Sequence, residues 1–181
     1  PFKMRRGETV MSGYDAIFKR RSIRMYKQER VSDEVVRNIL RAAMAAPSAH
    51  NIQPWEFIVV RDKEMLHQLA PVCKYWTMLT RADFAVAVLA NLEGYPKEIG
   101  GYYVQDCAAC TQNMLVAAAG QGIGGVWLGC YPARENMEGV RALLHLPENV
   151  VPIAMTAFGV PESEGPPHDE YHADKVHFEK Y

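Results

Sequence analysis

The chain contains 181 residues, 49% of them hydrophobic, and its 20 basic and 21 acidic residues give a net charge of −1. This size and composition predict one globular domain with a substantial core. The balanced charge, without a long Lys/Arg tract, argues against a protein that binds nucleic acid or a membrane surface. No apolar run reaches the roughly 18 residues that a membrane-spanning helix needs. The lack of an apolar signal core and the presence of only four cysteines lead us to expect a cytoplasmic location.

The first half of the chain predicts three helices and two strands. A short helix is expected over residues 14–20, and Ser32 has the position of a cap for a second helix. Residues 55–60 have the composition of a strand, after which Asp62 caps a short third helix. The uninterrupted apolar run over residues 84–89 is typical of a central strand that is covered on both faces.

The second half continues the alternation of helices and strands. Residues 91–101, rich in glycine and charge, are expected to form a loop before the longest helix, over residues 102–119. A short strand over residues 126–128 and an amphipathic helix over residues 134–144 precede a last strand over residues 151–160. This loose alternation predicts a layered fold in which helices pack on a sheet.

Two segments carry the clearest chemical signals. The arginine segment, residues 20–24, has the sequence R-R-S-I-R, and its planar guanidinium groups suit a phosphate that takes bidentate hydrogen bonds. The amide loop, residues 47–53, contains Asn51 and Gln53, whose side chains can donate and accept hydrogen bonds at the edge of a heteroaromatic ring. Together these segments indicate a nucleotide or flavin site. The alternative is a solvated basic helix end followed by a polar loop.

Two further motifs are interpreted as structural. Residues 120–125 match the pattern G-x-G-x-x-G, but a helix precedes them and a strand follows, which reverses the context of a dinucleotide-binding site. We expect these glycines to end the long helix and to let the backbone approach a ligand closely. Cys107 and Cys110 form a C-x-x-C pair that a redox enzyme can use as a dithiol, but their place in an apolar helix favours core packing. The histidines have no metal-binding spacing, so no metal site is expected.

Three motifs, in this order, resemble those of the flavin-dependent nitroreductase family: R-R-S-I-R, P-S-A-H-N-x-Q-P-W and G-G-V-W-L-G. The resemblance extends over roughly residues 14–178 and implies a single FMN-binding domain there, preceded by an N-terminal extension over residues 1–13. It implies an α+β fold with a central mixed, mostly antiparallel sheet flanked by helices. It also implies a homodimer with exchanged C-terminal arms and with FMN at the interface.

The activity that the resemblance implies is that of an FMN-dependent oxidoreductase. Hydride from NADH or NADPH would pass through flavin N5 to nitroaromatic, quinone or similar electron-poor acceptors by a ping-pong mechanism. The flavin carries this chemistry, so no residue of the chain is assigned a catalytic role of its own. Two alternatives stay open: a specialised enzyme of the superfamily that fragments flavin or removes halogen reductively, and a non-catalytic flavin-binding protein.

The resemblance also assigns cofactor-binding positions. Arg20, Arg21 and Ser22 would hold the phosphate and the ribityl chain. Arg24 would lie near the pyrimidine side of the ring, where a cation stabilises the negative charge that develops on reduction. Asn51 and Gln53 would form hydrogen bonds to the edge of the ring. Pro47, Ser48 and Ala49 would line the pocket from the partner subunit. The strand segment that would pass the ring consists of Gly125, Val126, Trp127, Leu128 and Gly129. Trp127 is equally open to interpretation as a core residue.

The C-terminal region departs from the family pattern. Family members often carry Lys or Arg there as further phosphate ligands, whereas residues 168–175 are rich in acidic residues and histidine. Either Lys175 or a histidine substitutes, or phosphate binding rests on the arginine segment. Beyond a Pro/Gly-rich linker over residues 162–167, residues 176–178 are either an exchanged arm or a frayed terminus.

Overall fold

The computed structural model of the protein describes residues 12–181. Most of the expected N-terminal extension lies outside these residues, and the domain boundary at residue 14 stays a prediction. The centre of the fold is a four-stranded sheet with the order β1-β2-β4-β3, in which all neighbouring strands are antiparallel. Its strands are β1 Trp55–Val60, β2 Phe84–Asn91, β3 Gly124–Gly129 and β4 Val150–Gly159.

Helices flank this sheet on both faces. Two of their N-termini are capped as the sequence predicts: Ser32 Oγ accepts the N–H of Val35 at 3.3 Å, and Asp62 Oδ1 accepts the N–H of Met65 at 2.8 Å. The predicted α+β fold with helices around an antiparallel sheet is therefore confirmed. The α-helices of the described residues are α1 Gly13–Lys19, α2 Asp33–Met44, α3 Lys63–Leu69, α4 Tyr102–Gly120 and α5 Arg134–Leu144.

The core is divided between the two faces of the sheet. Helices α2 and α4 pack on one face, where Ile39, Met114 and Phe158 are fully buried. Helices α3 and α5 pack on the other, around Leu66 and Val140. β2 lies between these layers and is buried over its first seven residues, as the apolar run predicts. Each large apolar side chain that is fully buried stabilises the fold by roughly 1.5–3 kcal/mol, so this doubly covered strand contributes strongly to stability.

β3 is longer than the apolar pattern predicts. Residues 126–128 were expected, but the strand includes three glycines, which have low intrinsic strand propensity. Pairing with β4 extends it at both ends, because Gly124 pairs with Gly159 and Gly129 pairs with Ala154. On its other side, Gly125 forms a parallel bridge with Ser22, which joins the arginine segment to the sheet.

The cysteine pair lies in the core. Cys107 and Cys110 are fully buried in α4, and the Sγ of Cys110 donates to the carbonyl oxygen of Cys107 at 3.1 Å. All four cysteines of the chain are free thiols. The interpretation of this C-x-x-C pair as core packing is therefore confirmed.

The C-terminal region follows β4 as an extended chain with one short 3-10 turn, Ala173–Lys175. Val176 and Phe178 are 39% and 83% exposed and form no strand within this chain. Exchange of this segment with a partner stays a prediction. Across residues 12–181, no helix has both the length and the apolar character that crossing a membrane requires.

Candidate cofactor-binding site

The arginine segment lies directly against β3. The N–H of Ile23 donates to the carbonyl oxygen of Gly125 at 3.0 Å, beside the parallel bridge from Ser22. Tyr26 fixes the end of the segment, since its hydroxyl lies 2.6 Å from the carbonyl oxygen of Ile23 and 3.1 Å from that of Ala157. Burial raises the pKa of Tyr26, so the hydroxyl keeps its proton for these contacts. The first and third sequence motifs therefore meet in space.

A basic cleft opens between the arginine segment and the start of β3. One wall carries Lys19, Arg20 and Arg21, and the other is formed by the backbone around residues 122–125. Glu164 also lines the cleft and pairs with Lys19 at 3.2 Å. Neither Arg20 nor Arg21 forms an ion pair with a carboxylate of the described residues, which leaves both guanidinium groups available for an anion.

An aromatic hollow lies further along the same strand. It is lined by Arg24, Lys74, Tyr75, Trp127 and Gly129 among others, and no carboxylate lines it within the described residues. Trp127 is 36% exposed and Tyr75 is 70% exposed, so both rings present open apolar surface. The Lys74 ammonium stands 4.9 Å from the centroid of the Tyr75 ring, a cation–π contact. The hollow suits a flat ring that carries negative charge.

The five expected positions on β3 divide according to the alternation of a strand. Val126 and Leu128 pack into the core beneath α3 and α5, whereas Trp127 and Gly129 lie on the opposite face of the strand and are exposed there. A pocket location for Trp127 is therefore favoured over a place in the core. Gly125 is buried, and a Cβ atom there would lie 2.7 Å from Phe158.

The glycines at the start of β3 make room for neighbouring side chains. A Cβ atom on Gly124 would lie 2.7 Å from the Cγ2 of Ile23, and one on Gly125 would meet Phe158. These glycines thus admit the protein's own side chains, and close approach of their backbone to a ligand stays a prediction. Gly122 has a φ of 73°, and its place after α4 agrees with a glycine that ends a helix.

The amide loop lies apart from both cavities. Pro47, Ser48, Ala49, Asn51 and Gln53 line neither the basic cleft nor the aromatic hollow of their own chain. Within the loop, the Nε2 of Gln53 donates to the Oδ1 of Asn51 at 3.0 Å, and both side chains are exposed. One chain therefore joins the first and third motifs and leaves the second separate.

Several site residues carry no recognisable sequence signal. Lys74 and Tyr75 belong to a segment between α3 and β2 without a motif, and only the fold brings them opposite Arg24. Glu164 enters the basic cleft because the chain after β4 turns back along α1, where the N–H of His168 donates to the carbonyl oxygen of Phe18 at 3.0 Å. The expected substitutes for a C-terminal phosphate ligand, Lys175 and the histidines, do not line the cleft of their own chain.

The chain matches known proteins over nearly its whole length. The model of the nitroreductase family matches residues 17–76 and 72–160. A relative from Archaeoglobus fulgidus, provisionally named an NADH dehydrogenase/NAD(P)H nitroreductase, is 45% identical over 170 residues, which are 91% of this chain and 96% of the relative.

Solved structures also match nearly the whole chain. A protein from Clostridium acetobutylicum, provisionally named an NADH oxidase, superposes with a TM-score of 0.88 and 40% identity over 92% of this chain and 100% of its own. A protein from Desulfovibrio desulfuricans, provisionally described as a nitroreductase and crystallised with FMN, gives a TM-score of 0.80 and 34% identity over 96% of this chain and 99% of its own.

Proposed function

The chain belongs to the nitroreductase family of flavin oxidoreductases, and we propose that it transfers hydride from NADH or NADPH, through bound FMN, to a small electron-poor acceptor. Nitroaromatics and quinones are the proposed classes of acceptor, and the proposed kinetics are ping-pong, with donor and acceptor using the same space in turn. The proposed catalytic domain spans residues 14–178.

The observation that carries this proposal is the succession of two cavities along β3. The basic cleft offers Arg20 and Arg21 to a phosphate, and the aromatic hollow offers flat apolar surface to a ring. Ser22 lies in sequence between Arg21 of the cleft and Arg24 of the hollow, and at its bridge to Gly125 we expect the ribityl chain to pass. FMN has the two groups that these cavities suit, an anionic phosphate at one end and a planar ring at the other.

The residues of the hollow fit the flavin ring. A Cβ atom on Gly129 would meet nothing within 4 Å, so there is open space beside β3 at this residue. Arg24 and Lys74 would favour negative charge on the pyrimidine side of the ring, since preorganised cations stabilise charge that develops there. Bound FMN supplies the two-electron chemistry, and the chain supplies binding, orientation and electrostatics.

A second copy of the chain would complete the site. We propose a homodimer in which the amide loop of one protomer, residues 47–53, meets the ring held by its partner. Two features support this. The amides of Asn51 and Gln53 are exposed and face no cavity of their own chain. In addition, β1 is an edge strand whose outer side is open to pairing, and the exposed apolar side chains of Val176 and Phe178 would be buried if residues 176–178 formed an exchanged arm.

The decisive test is the visible spectrum of the purified protein under anaerobic conditions. We expect a flavin spectrum that bleaches when NADH or NADPH is added. A flavin spectrum that neither nucleotide bleaches would favour the non-catalytic binding protein, and a protein that binds no flavin would refute the proposal. Halide release from a halogenated aromatic by the reduced protein would instead favour the dehalogenating alternative.

Charge substitutions test the position of the site. Arg20→Ala and Arg24→Ala should each weaken FMN binding, since a hydrogen bond to a charged group contributes roughly 1.5–3 kcal/mol. Arg30→Ala is a matched control, because this neighbouring arginine is largely exposed and lies in neither cavity. Full retention of FMN by the Arg20/Arg24 double variant through gel filtration would rule out the assignment.

A further inference from the structure

Asp106 is a buried carboxylate in the apolar helix α4. It is 5% exposed, and its Oδ1 accepts the N–H of Ala49 at 2.9 Å. Its Oδ2 is also buried and has no hydrogen-bond partner among the described residues, and none of the ion pairs formed there includes Asp106. Burying an unpaired carboxylate is costly. Helix packing alone does not account for a charged residue at this position.

The amide loop that Asp106 holds has a strained backbone. His50, Asn51 and Gln53 have φ angles of 50°, 55° and 53°, in the left-handed region that most residues other than glycine avoid, asparagine and histidine less strictly than glutamine. Inside the loop, Ser48 Oγ accepts the N–H of Gln53 at 3.0 Å. Among the described residues, the bond from Ala49 to Asp106 is the side-chain hydrogen bond that ties this loop to the rest of the chain. Strained backbone persists where its surroundings enforce it, and it is concentrated at ligand sites.

A second loop comes close to the same carboxylate. Tyr95, in the segment over residues 91–101, also has a buried hydroxyl. Burial and, next, the negative charge of Asp106 raise the pKa of Tyr95. Its ring packs edge-on against Tyr103 of α4, with 5.8 Å between the centroids. Asp106 therefore lies where two loops meet the central helix.

We infer that Asp106 is a positioning residue that acts through the backbone N–H of Ala49 and fixes the amide loop in the shape in which Asn51 and Gln53 meet the cofactor ring. This inference rests on the proposed function, because it takes the amide loop as part of the cofactor site. Asp106 itself lines neither the basic cleft nor the aromatic hollow of its own chain. A charged acceptor holds an amide more strongly than a neutral one, which explains a carboxylate at this point of an apolar helix.

Three variants separate positioning from a general effect on folding. Asp106→Ala removes the acceptor, and Asp106→Asn keeps an oxygen acceptor without the charge. Thr111→Val is the matched control, since Thr111 is another fully buried polar residue of α4 whose hydroxyl donates to Cys107 at 2.6 Å, away from the amide loop. The first readout is the hydrogen-exchange rate of the Ala49 amide in the FMN-free protein, measured by NMR. The second is the reduction potential of the bound flavin, measured together with kcat and KM for NADH.

We expect the Ala49 amide to exchange about 10- to 100-fold faster in Asp106→Ala, which is the factor that a hydrogen bond to a charged group represents. Asp106→Asn should recover only part of this protection, because it keeps a neutral acceptor, and Thr111→Val should leave the protection unchanged. Asp106→Ala should also shift the flavin potential and lower kcat more than it changes KM. In a chain that already carries Asn51→Ala and Gln53→Ala, Asp106→Ala should lower kcat by less than about a further twofold, because the side chains that Asp106 positions are absent.

Several outcomes would overturn the inference while the proposed function stands. The first is an Ala49 amide that exchanges at the same rate in Asp106→Ala as in the parent. The second is a shift of the flavin potential in Thr111→Val as large as that in Asp106→Ala. The third is a loss of kcat on Asp106→Ala that is as large in the Asn51/Gln53 double variant as in the parent. A wild-type protein that binds no flavin would overturn the proposed function instead, and with it this inference.

Discussion

Substitution of two glycines on β3 by alanine should have opposite effects on stability, and the pair of variants tests both the core packing and the proposed cofactor site. In Gly125→Ala, the added methyl carbon would lie 2.7 and 2.8 Å from ring atoms of Phe158 and 3.0 Å from Leu115. Phe158 is fully buried and stacked on Phe84 with 5.0 Å between the ring centroids, so the ring has little room to move. Overpacking of this kind costs roughly 1–3 kcal/mol, and alanine recovers only about 0.5–1 kcal/mol over glycine in a strand.

We therefore expect Gly125→Ala to lower the free energy of unfolding by about 1–2 kcal/mol, or by roughly 2–8 °C in melting temperature. Gly129→Ala is the matched control, because a methyl group there meets nothing within 4 Å. Its stability should equal or exceed that of the parent, by up to about 1 kcal/mol, because alanine loses less conformational entropy than glycine in a strand. Since that methyl group extends into the aromatic hollow, its FMN affinity should fall.

Urea unfolding of the FMN-free proteins, followed by far-UV circular dichroism at one protein concentration, measures the first effect. Titration with FMN, followed by quenching of flavin fluorescence, measures the second. A Gly125→Ala protein as stable as the parent would refute the packing argument. A Gly129→Ala protein that binds FMN as tightly as the parent would place the ring away from this part of β3.

Three further predictions concern other parts of the chain. Asn51→Ala should lower the rate of flavin reduction while most FMN stays bound, and unchanged rates in stopped-flow measurements would make the amide loop a plain structural loop. Deletion of residues 174–181 should make the proposed dimer dissociate at higher protein concentration and release FMN in parallel, since burial of Val176 and Phe178 in that dimer would contribute roughly 1.5–3 kcal/mol each. Sedimentation of a dimer of unchanged stability would show that the segment is a loose tail. Burial raises the pKa of Cys130 from 9.0 to about 12, so the folded chain keeps a proton that the unfolded chain releases. The free energy of unfolding should therefore fall between pH 9 and 12, by up to about 1.4 kcal/mol per pH unit from this thiol, and Cys130→Ala should make the fall shallower.

The helices and strands could be predicted because their signals are local. The side chain of Ser32 caps α2 within one turn, and the apolar run at residues 84–89 suffices to mark a strand covered on both faces. β3 was predicted too short for the opposite reason. Its glycines carry no local strand signal, and their conformation depends on pairing with β4, which lies far along the chain.

The chemical character of the site could be predicted, but its assembly could not. The guanidinium groups of residues 20–24 suggest an anion site by their chemistry alone. Their partner across the cleft is set by the bond from Ile23 to Gly125, a contact between distant residues that no local pattern encodes. Lys74 enters the hollow for the same reason, through the path of the chain after α3.

The glycines of β3 link sequence to function through packing. The pattern G-x-G-x-x-G has the appearance of a nucleotide-binding motif, and within it Gly124 and Gly125 lie against the side chains of Ile23 and Phe158. A side chain at Gly124 would collide with Ile23, and Ile23 is the residue whose N–H holds the arginine segment on the sheet. The absence of a side chain therefore lets Arg20 and Arg21 lie beside the strand that carries Trp127 and Gly129. In the proposed function, this close approach sets the distance between the phosphate cleft and the ring hollow.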